Sequence, residues 1–179
     1  RAVETARCDV ARLIGADRPD EVVFTSGGSE SNVTAIRAAL AARPGRREVV
    51  TSTVEHASVH AALDRFAATD GIVIHRIPVD GCGRLDLGAY RALLGPDTAL
   101  VTLMTANNET GTLFPIADLV PAAHAAGALF HTDAVQAAGR VALSVAASGV
   151  DMASVSAHKL HGPKGIGALH VRTGTPFSG

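Results

Sequence analysis

The amino-acid sequence predicts an α/β fold with a mainly parallel open sheet and helices on both faces. Three observations support this prediction. Short apolar segments alternate with alanine-rich, helix-favouring segments along the 179 residues. The apolar segments do not alternate between polar and apolar residues, which is typical of strands covered on both faces. Repeated strand–helix alternation requires crossover connections, and such connections produce parallel strands.

The elements follow one another regularly from the N-terminus. The opening stretch, RAVETARCDVARLIGADRPDEV, has the pattern of an amphipathic helix rather than of a signal peptide. Apolar runs rich in Val, Ile and Leu then predict strands, and the alanine-rich stretches between them predict helices. The predicted strands cover 21–25, 48–52, 71–77, 98–104, 128–132, 151–157 and 166–171, and the predicted helices cover 30–42, 57–68, 86–94 and 117–126.

Composition limits the number of domains and the class of partner. With 47% hydrophobic residues, the chain is long enough for one core and short for two, so residues 1–179 are expected to form one domain. Lys and Arg number 16 against 17 Asp and Glu, without runs of one sign, so neither nucleic acid nor a membrane surface is a favoured partner. No apolar segment approaches the roughly 20 residues of a membrane span.

The cysteines and the chain ends carry two further expectations. Cys8 and Cys82 lie far apart in the sequence and form neither a disulfide framework nor a metal-binding spacing, which fits a reducing cytoplasm.

The chain begins at Arg1 without a methionine, and it stops soon after a strand-like segment. We therefore expect it to be a piece of a larger protein.

Unusual polar residues follow five of the predicted strands. In open parallel sheets, ligands bind beyond the carboxyl ends of the strands, so these stretches are the expected functional site. They are SGGSES (26–31), VEH (54–56), ANNETG (106–111), HTDAVQ (131–136) and SAHKLHGPKG (156–165).

The first stretch supports two different chemistries. Gly27 and Gly28 allow a tight turn into a helix whose first amides lack intrahelical acceptors, and such amides bind anions. A serine nucleophile on a strand-to-helix elbow is the alternative, because Ser29, Asp133 and His158 follow the chain order of α/β-hydrolases. The elbow lacks its last glycine, and residue order alone is weak evidence for a triad.

Two charged residues indicate a cofactor with a carbonyl and a basic ring. Asp133 ends an apolar strand, where it acts either as a helix N-cap or as the partner of a cation. Lys159 follows another buried strand, and burial would favour the neutral amine that forms a Schiff base. Lys164 is the competing lysine and lies in a glycine-rich turn that is expected to be solvated.

His56 and His60 have the spacing of zinc ligands on a helix, but no HExxH motif surrounds them.

Taken together, the five strand ends offer an anion site, an imidazole, amides, a carboxylate and a lysine. This set matches pyridoxal phosphate. Its phosphate would bind at the helix N-terminus, its ring nitrogen would pair with the carboxylate, and its aldehyde would react with the lysine.

The same stretches resemble, in order and with near-family spacing, the class V, fold type I pyridoxal-phosphate enzymes and, among them, the cysteine desulfurases. The matching segments are FTSGGSESN, TSTVEH, TANNETG, HTDAVQAAG and SAHKLHGPKGIGAL. The resemblance covers nearly the whole chain. It implies a cofactor-binding large domain that is incomplete at both ends and lacks the small C-terminal domain.

The resemblance also implies a role for nine residues and no metal. Lys159 carries the cofactor and shuttles protons, His56 stacks on the ring and takes part in proton transfer, and Asp133 pairs with the ring nitrogen. The implied phosphate binders are Gly28, Ser29, Ser156 and His158, and the implied neighbours of the ring's 3-hydroxyl group are Asn108 and Gln136.

The implied reaction converts L-cysteine to L-alanine and passes the sulfur to an acceptor cysteine. Neither Cys8 nor Cys82 matches that cysteine, which belongs, with a substrate-binding arginine, to the part that is missing here. The chain alone is therefore expected to be inactive. The resemblance further implies a homodimer, a sulfur-acceptor protein and a place in sulfur mobilisation for iron–sulfur cluster assembly. A selenocysteine lyase and an inactive scaffold domain are the alternatives that the sequence leaves open.

Overall fold

The computed structural model describes residues 1–177, and the last two residues of the predicted domain, 178 and 179, lie outside the described part. Seven strands form one sheet in the order β1-β7-β6-β5-β4-β2-β3. The strands are β1 (Val22–Thr25), β2 (Glu48–Ser52), β3 (Val73–Ile77), β4 (Thr98–Met104), β5 (Leu129–Asp133), β6 (Met152–Ser156) and β7 (Gly167–Val171). The α-helices are α1 (Ala2–Ile14), α2 (Gly28–Ala42), α3 (Ala57–Asp70), α4 (Leu87–Leu93), α5 (Ile116–Ala125) and α6 (Val145–Ser148).

The strand directions confirm the predicted mainly parallel sheet. Strands β3, β2, β4, β5 and β6 pair in parallel, whereas β7 runs antiparallel to both of its neighbours, β6 and β1. Because β7 opposes both neighbours, β1 points in the same direction as the five parallel strands. The carboxyl end of β1 therefore lies at the same edge of the sheet as the other polar strand ends, although β1 is an outer strand.

Helices cover both faces of the sheet, as the unbroken apolar strands predict. Successive residues of one strand contribute to opposite faces: Leu129 of β5 belongs to the core cluster that includes residues of α2 and α3. Phe130 belongs to the cluster that includes residues of α1, α4, α5 and α6. Strands β4, β5 and β6 are buried along their whole length. The two apolar layers fix the central strands, and with them the positions of the polar residues that follow.

The expectation of complete burial is wrong for the two outer strands. In β3, Val73 is exposed and Ile77 is the one fully buried residue, and in β1, Val23 is exposed. An outer strand has a neighbour on one side only, so the helices above and below it leave part of it open to water. The sequence also did not predict α6 or the short 3-10 helices at Pro19–Glu21 and Ala157–Leu160, because each spans four residues or fewer.

Helix starts place several polar groups at the carboxyl edge. Helix α3 is capped by His56, whose Nδ1 accepts the amide of Ser58 at 3.2 Å, and α2 begins directly at Gly28 without a side-chain cap. In the described part of the chain, every helix falls short of the length and apolarity that a membrane span requires.

Candidate active site

A cavity of about 490 Å³ opens at the carboxyl edge of the sheet. This volume lies within the usual range of small-molecule sites. The structure brings all nine sequence-predicted site residues to the wall of this one cavity. They are Gly28, Ser29, His56, Asn108, Asp133, Gln136, Ser156, His158 and Lys159.

The N-terminus of α2 forms an anion-binding wall. Ser31 is the first residue of this turn whose amide bonds back along the helix, to the Gly27 carbonyl at 3.1 Å, so the preceding amides have no intrahelical acceptor. The carboxylate of Glu30, which also lines the cavity, accepts the amide and the hydroxyl of Ser26, both at 2.5 Å, and none of those amides. These bonds lower the pKa of Glu30. The first-turn amides and the positive end of the helix dipole are thus left for a ligand.

Close packing explains the glycines around this wall. A Cβ on Gly28 would lie 2.7 Å from Cγ2 of Val135, and a Cβ on Gly167 would lie 2.7 Å from the Gly27 backbone. Because real Cβ atoms do not approach other atoms so closely, neither position accepts a side chain without movement. The turn after β1 is therefore pressed between β7 and the loop after β5.

The segment after β6 supplies three polar groups to the cavity. Ser156 ends the strand, and its hydroxyl lies 2.8 Å from Nδ1 of His158. Lys159 belongs to the 3-10 helix Ala157–Leu160, and its carbonyl accepts Nη2 of Arg140 at 3.2 Å. Lys159 is partly rather than fully buried, because the short helix that carries it borders the cavity. Lys164 is exposed, as predicted.

Asp133 forms the acidic floor of the cavity. It is the last residue of β5, and it is only 6% exposed. Burial raises the pKa of its carboxyl, while hydrogen bonds from Asn32 at 2.7 Å and from the amide of Val135 at 3.0 Å oppose that rise. A turn rather than a helix follows it, so Asp133 is not a helix N-cap. The site favours a cationic partner, which would offset the desolvation of the carboxylate.

His56 also lines the cavity and is joined to Asp133 through two residues that sequence reasoning did not select. Nδ1 of His56 lies 2.8 Å from the Ser58 hydroxyl, and Nδ2 of Asn32 donates to that hydroxyl at 3.1 Å and to Asp133 at 2.7 Å. Asn32 lies one helical turn after Gly28, so both reach the cavity from the same face of α2. That spacing is the signal by which Asn32 could have been found.

Glu55 is a second residue that the sequence interpretation missed. It is 6% exposed, and its Oε1 accepts the hydroxyl of Ser52 at 2.5 Å, while its Oε2 has no partner among the described residues. Burial raises the pKa of Glu55 to about 8, and the nearby charge of Asp133 adds to the rise. At neutral pH this pKa favours the protonated carboxylic acid at the residue that precedes His56.

The geometry does not assemble the two alternative sites. Asp133 bonds to Asn32 and Val135, and Nδ1 of His158 bonds to Ser156, so no hydrogen-bonded relay joins Ser29, His158 and Asp133. Within residues 1–177, no group of three His, Cys, Asp or Glu side chains is arranged to hold a metal ion.

The groups lining the cavity fit pyridoxal phosphate. Free helix amides suit a phosphate, a buried carboxylate suits a protonated ring nitrogen, and the amine of Lys159 suits an aldehyde. The buried Oδ1 of Asn32, which has no partner among the described residues, adds an unused acceptor at the same wall.

Comparison with known proteins points to one family over almost the whole chain. The family model described as Aminotransferase class-V matches residues 1–175. A curated relative, "Cysteine desulfurase" of Cereibacter sphaeroides, is 60% identical over 177 residues, which make up 99% of this chain and 46% of that protein.

Solved structures agree with the fold. "NIFS-LIKE PROTEIN" superimposes with a TM-score of 0.91 at 36% identity, over 97% of this chain and 48% of the other. "SspA in complex with cysteine" also gives a TM-score of 0.91, at 35% identity, over 99% of this chain and 51% of the other. The chain spans about half the length of the curated relatives it matches.

Proposed function

The chain belongs to the class V aminotransferase family, and on this premise we propose that residues 1–179 are the cofactor-binding large domain of a pyridoxal-phosphate-dependent cysteine desulfurase. One observation carries the proposal. Five separate strand ends converge on one cavity and bring to it an anion site, a buried carboxylate, an imidazole and a lysine. The 60% identity to a curated cysteine desulfurase supports the choice of reaction within the family.

Each group of residues would hold a different part of the cofactor. The phosphate would bind to the α2 amides at Gly28 and Ser29 and to the side chains of Ser29, Ser156 and His158. Asp133 would bind the ring nitrogen, and His56 would lie against the ring. Lys159 would bind the aldehyde carbon through Nζ, and the residues beside the 3-hydroxyl group would be Asn108 and Gln136.

The bound cofactor supplies an electron sink for negative charge at the substrate α-carbon. Asp133, stabilised as a carboxylate by Asn32 and Val135, would keep the ring nitrogen protonated. Lys159 Nζ or His56 would take the α-proton of L-cysteine. The thiolate of an acceptor cysteine outside this chain would attack the substrate sulfur, so that the Cβ–S bond breaks as the S–S bond of a persulfide forms. Cβ would then take up a proton, and L-alanine would leave.

The remaining expectations concern the whole protein. We propose that it is a cytoplasmic homodimer and that a sulfur-acceptor protein receives the persulfide sulfur for iron–sulfur cluster assembly. The resemblance supports these expectations, and a chain of nearly balanced charge is consistent with them.

Borohydride trapping tests the cofactor site directly. The full-length protein would be mixed with pyridoxal phosphate, reduced with borohydride and digested for peptide mass mapping, alongside Lys159→Ala and the matched control Lys164→Ala. A pyridoxyl adduct at Lys159 that persists in Lys164→Ala and disappears in Lys159→Ala is the expected result. An adduct on Lys164 or spread over several amines would refute the site.

Substrate assays then test the reaction. Alanine formation from L-cysteine is expected with the loaded full-length protein. A preference for selenocysteine over cysteine would instead identify a selenocysteine lyase.

A further inference from the structure

We propose that Ser58 and Asn32 are positioning residues that fix the tautomer of His56, with Nδ1 as an acceptor and the proton on Nε2 toward the cavity. The assignment of the tautomer depends only on the hydrogen bonds around His56. Its consequence for catalysis rests on the proposed function.

The tautomer follows from the donors that face Nδ1. The backbone amide of Ser58 can only donate, and it reaches Nδ1 of His56 at 3.2 Å. The hydroxyl of the same residue lies 2.8 Å from Nδ1. Because both contacts are satisfied when Nδ1 offers its lone pair, the neutral ring carries its proton on Nε2.

Asn32 sets the direction of the hydroxyl. Its amide group has two hydrogens, and the structure uses one for Asp133 at 2.7 Å and the other for the Ser58 oxygen at 3.1 Å. A hydroxyl that accepts from Asn32 keeps its own hydrogen for Nδ1 of His56. The donations therefore run in one direction, from Asn32 through Ser58 to His56.

The accepting oxygens of Asp133 fix the orientation of Asn32. Both carboxyl oxygens of Asp133 accept a hydrogen bond, Oδ1 from the amide of Val135 at 3.0 Å and Oδ2 from Asn32 at 2.7 Å. An accepting Oδ2 selects the NH₂ side of the Asn32 amide and leaves Oδ1 of Asn32 as the buried, unpartnered atom among the described residues. Asn32 is 1% exposed, so solvent has little access to either bond. The residue proposed to hold the ring nitrogen is thereby coupled to the histidine proposed to lie against the ring.

This arrangement divides the chemical roles in the cavity. Nε2 of His56 has no hydrogen-bond partner in residues 1–177, and the imidazole lines the cavity. With a proton on Nε2, the neutral ring offers a hydrogen-bond donor to a bound ligand and has no free lone pair there. The α-proton of the substrate then goes to Nζ of Lys159, and His56 orients the group that it donates to.

Nitrogen NMR of the histidine rings measures the tautomer without cofactor or turnover. The full-length protein would be labelled with ¹⁵N-histidine at a pH where His56 is neutral, and the His56 signals assigned with a His56→Gln variant. We expect an unprotonated type of shift for Nδ1 and a protonated type for Nε2. A protonated Nδ1 in the unmodified protein would overturn the proposal.

Variants at Ser58 test which group sets the tautomer. Ser58→Ala keeps the backbone donor and removes the hydroxyl, so the Nδ1–H tautomer should gain about two- to tenfold in population, the equivalent of one hydrogen bond. Ser58→Thr should restore the original shifts. Ser148→Ala is the matched control, because it removes a half-buried helical hydroxyl, bonded to Val145 at 3.0 Å, away from the cavity. Unchanged His56 shifts in Ser58→Ala would refute the role of Ser58.

A variant at Asn32 and a turnover assay complete the test. Asn32→Ala should shift the tautomer in the same direction, and Ser58→Ala alone decides the matter if the buried Asn32 variant does not fold. In the loaded enzyme, Ser58→Ala should lower kcat about two- to tenfold, while Ser148→Ala should not. If the unmodified protein forms no alanine from cysteine, the proposed function fails, but the NMR result still decides the tautomer.

Discussion

Replacement of Glu55 by glutamine should remove a pH dependence of stability that this single carboxyl creates. Glu55 is buried, with Oε1 bonded to Ser52 at 2.5 Å and Oε2 without a partner among the described residues. Burial raises its pKa from 4.5 to about 8. Glutamine has the same shape, keeps an oxygen for the Ser52 hydroxyl and cannot ionise.

The magnitude follows from the two pKa values. Between pH 5 and 7 the unfolded chain loses the Glu55 proton, while the folded protein retains most of it. Because the folded state binds more protons, the stability of the unmodified protein falls as the pH rises, by about 1.4 kcal/mol per pH unit at most. Over these two pH units, Glu55→Gln should gain about 2.5 kcal/mol relative to the unmodified protein.

Urea unfolding of the cofactor-free protein at pH 5, 6 and 7 measures this difference. The burial of Asp133 raises its pKa too, but that residue is present in both proteins and largely cancels in the comparison. Glu4→Gln, at an exposed carboxyl, controls for the loss of a negative charge. Stability curves of Glu55→Gln and the unmodified protein that stay parallel across this pH range would show that Glu55 is ionised in the folded state, and the reasoning would be wrong.

Two further substitutions test a close packing contact and a buried hydrogen bond. Gly28→Ala should destabilise the protein by about 1–3 kcal/mol, because the new methyl group would meet Cγ2 of Val135 at 2.7 Å, and Val135→Ala should recover part of that loss in thermal unfolding. Tyr90→Phe should cost about 1 kcal/mol in urea unfolding, because the buried Tyr90 hydroxyl donates to the Leu119 carbonyl at 2.7 Å; an unchanged midpoint would contradict the value of this bond.

Local patterns in the sequence were sufficient to predict the sheet and its polar edge. Continuous apolar runs identified the buried strands β4, β5 and β6, and the residues that follow the strands, such as Asp133, were expected at one edge. The same patterns identified β1 and β3 as strands but overestimated their burial, because the position of a strand within the sheet is not a property of its own residues. The antiparallel insertion of β7 between β1 and β6 was likewise invisible.

The hydrogen-bonded residues of the site were harder to predict than the residues with unusual chemistry. Lys159 and Asp133 are charged residues beside apolar strands, and that contrast is visible in the sequence. Asn32 and Ser58 lie in ordinary helical turns, and their importance arises only because α2 and α3 bring them together from 26 positions apart. Glu55 was overlooked because its burial depends on the strands beside it.

The place of β1 at the outer side of β7 has a consequence for synthesis on the ribosome. Val22 pairs with His170 and Thr25 pairs with Gly167, so the first strand finds its partner only after residue 170 has been translated. Such distant pairing slows folding, and until β7 has been made the backbone hydrogen-bonding groups of β1 lack their partner strand. The glycine turn that follows β1 therefore takes its final place late, and a nascent chain acquires its anion-binding wall only after the parallel strands have already emerged.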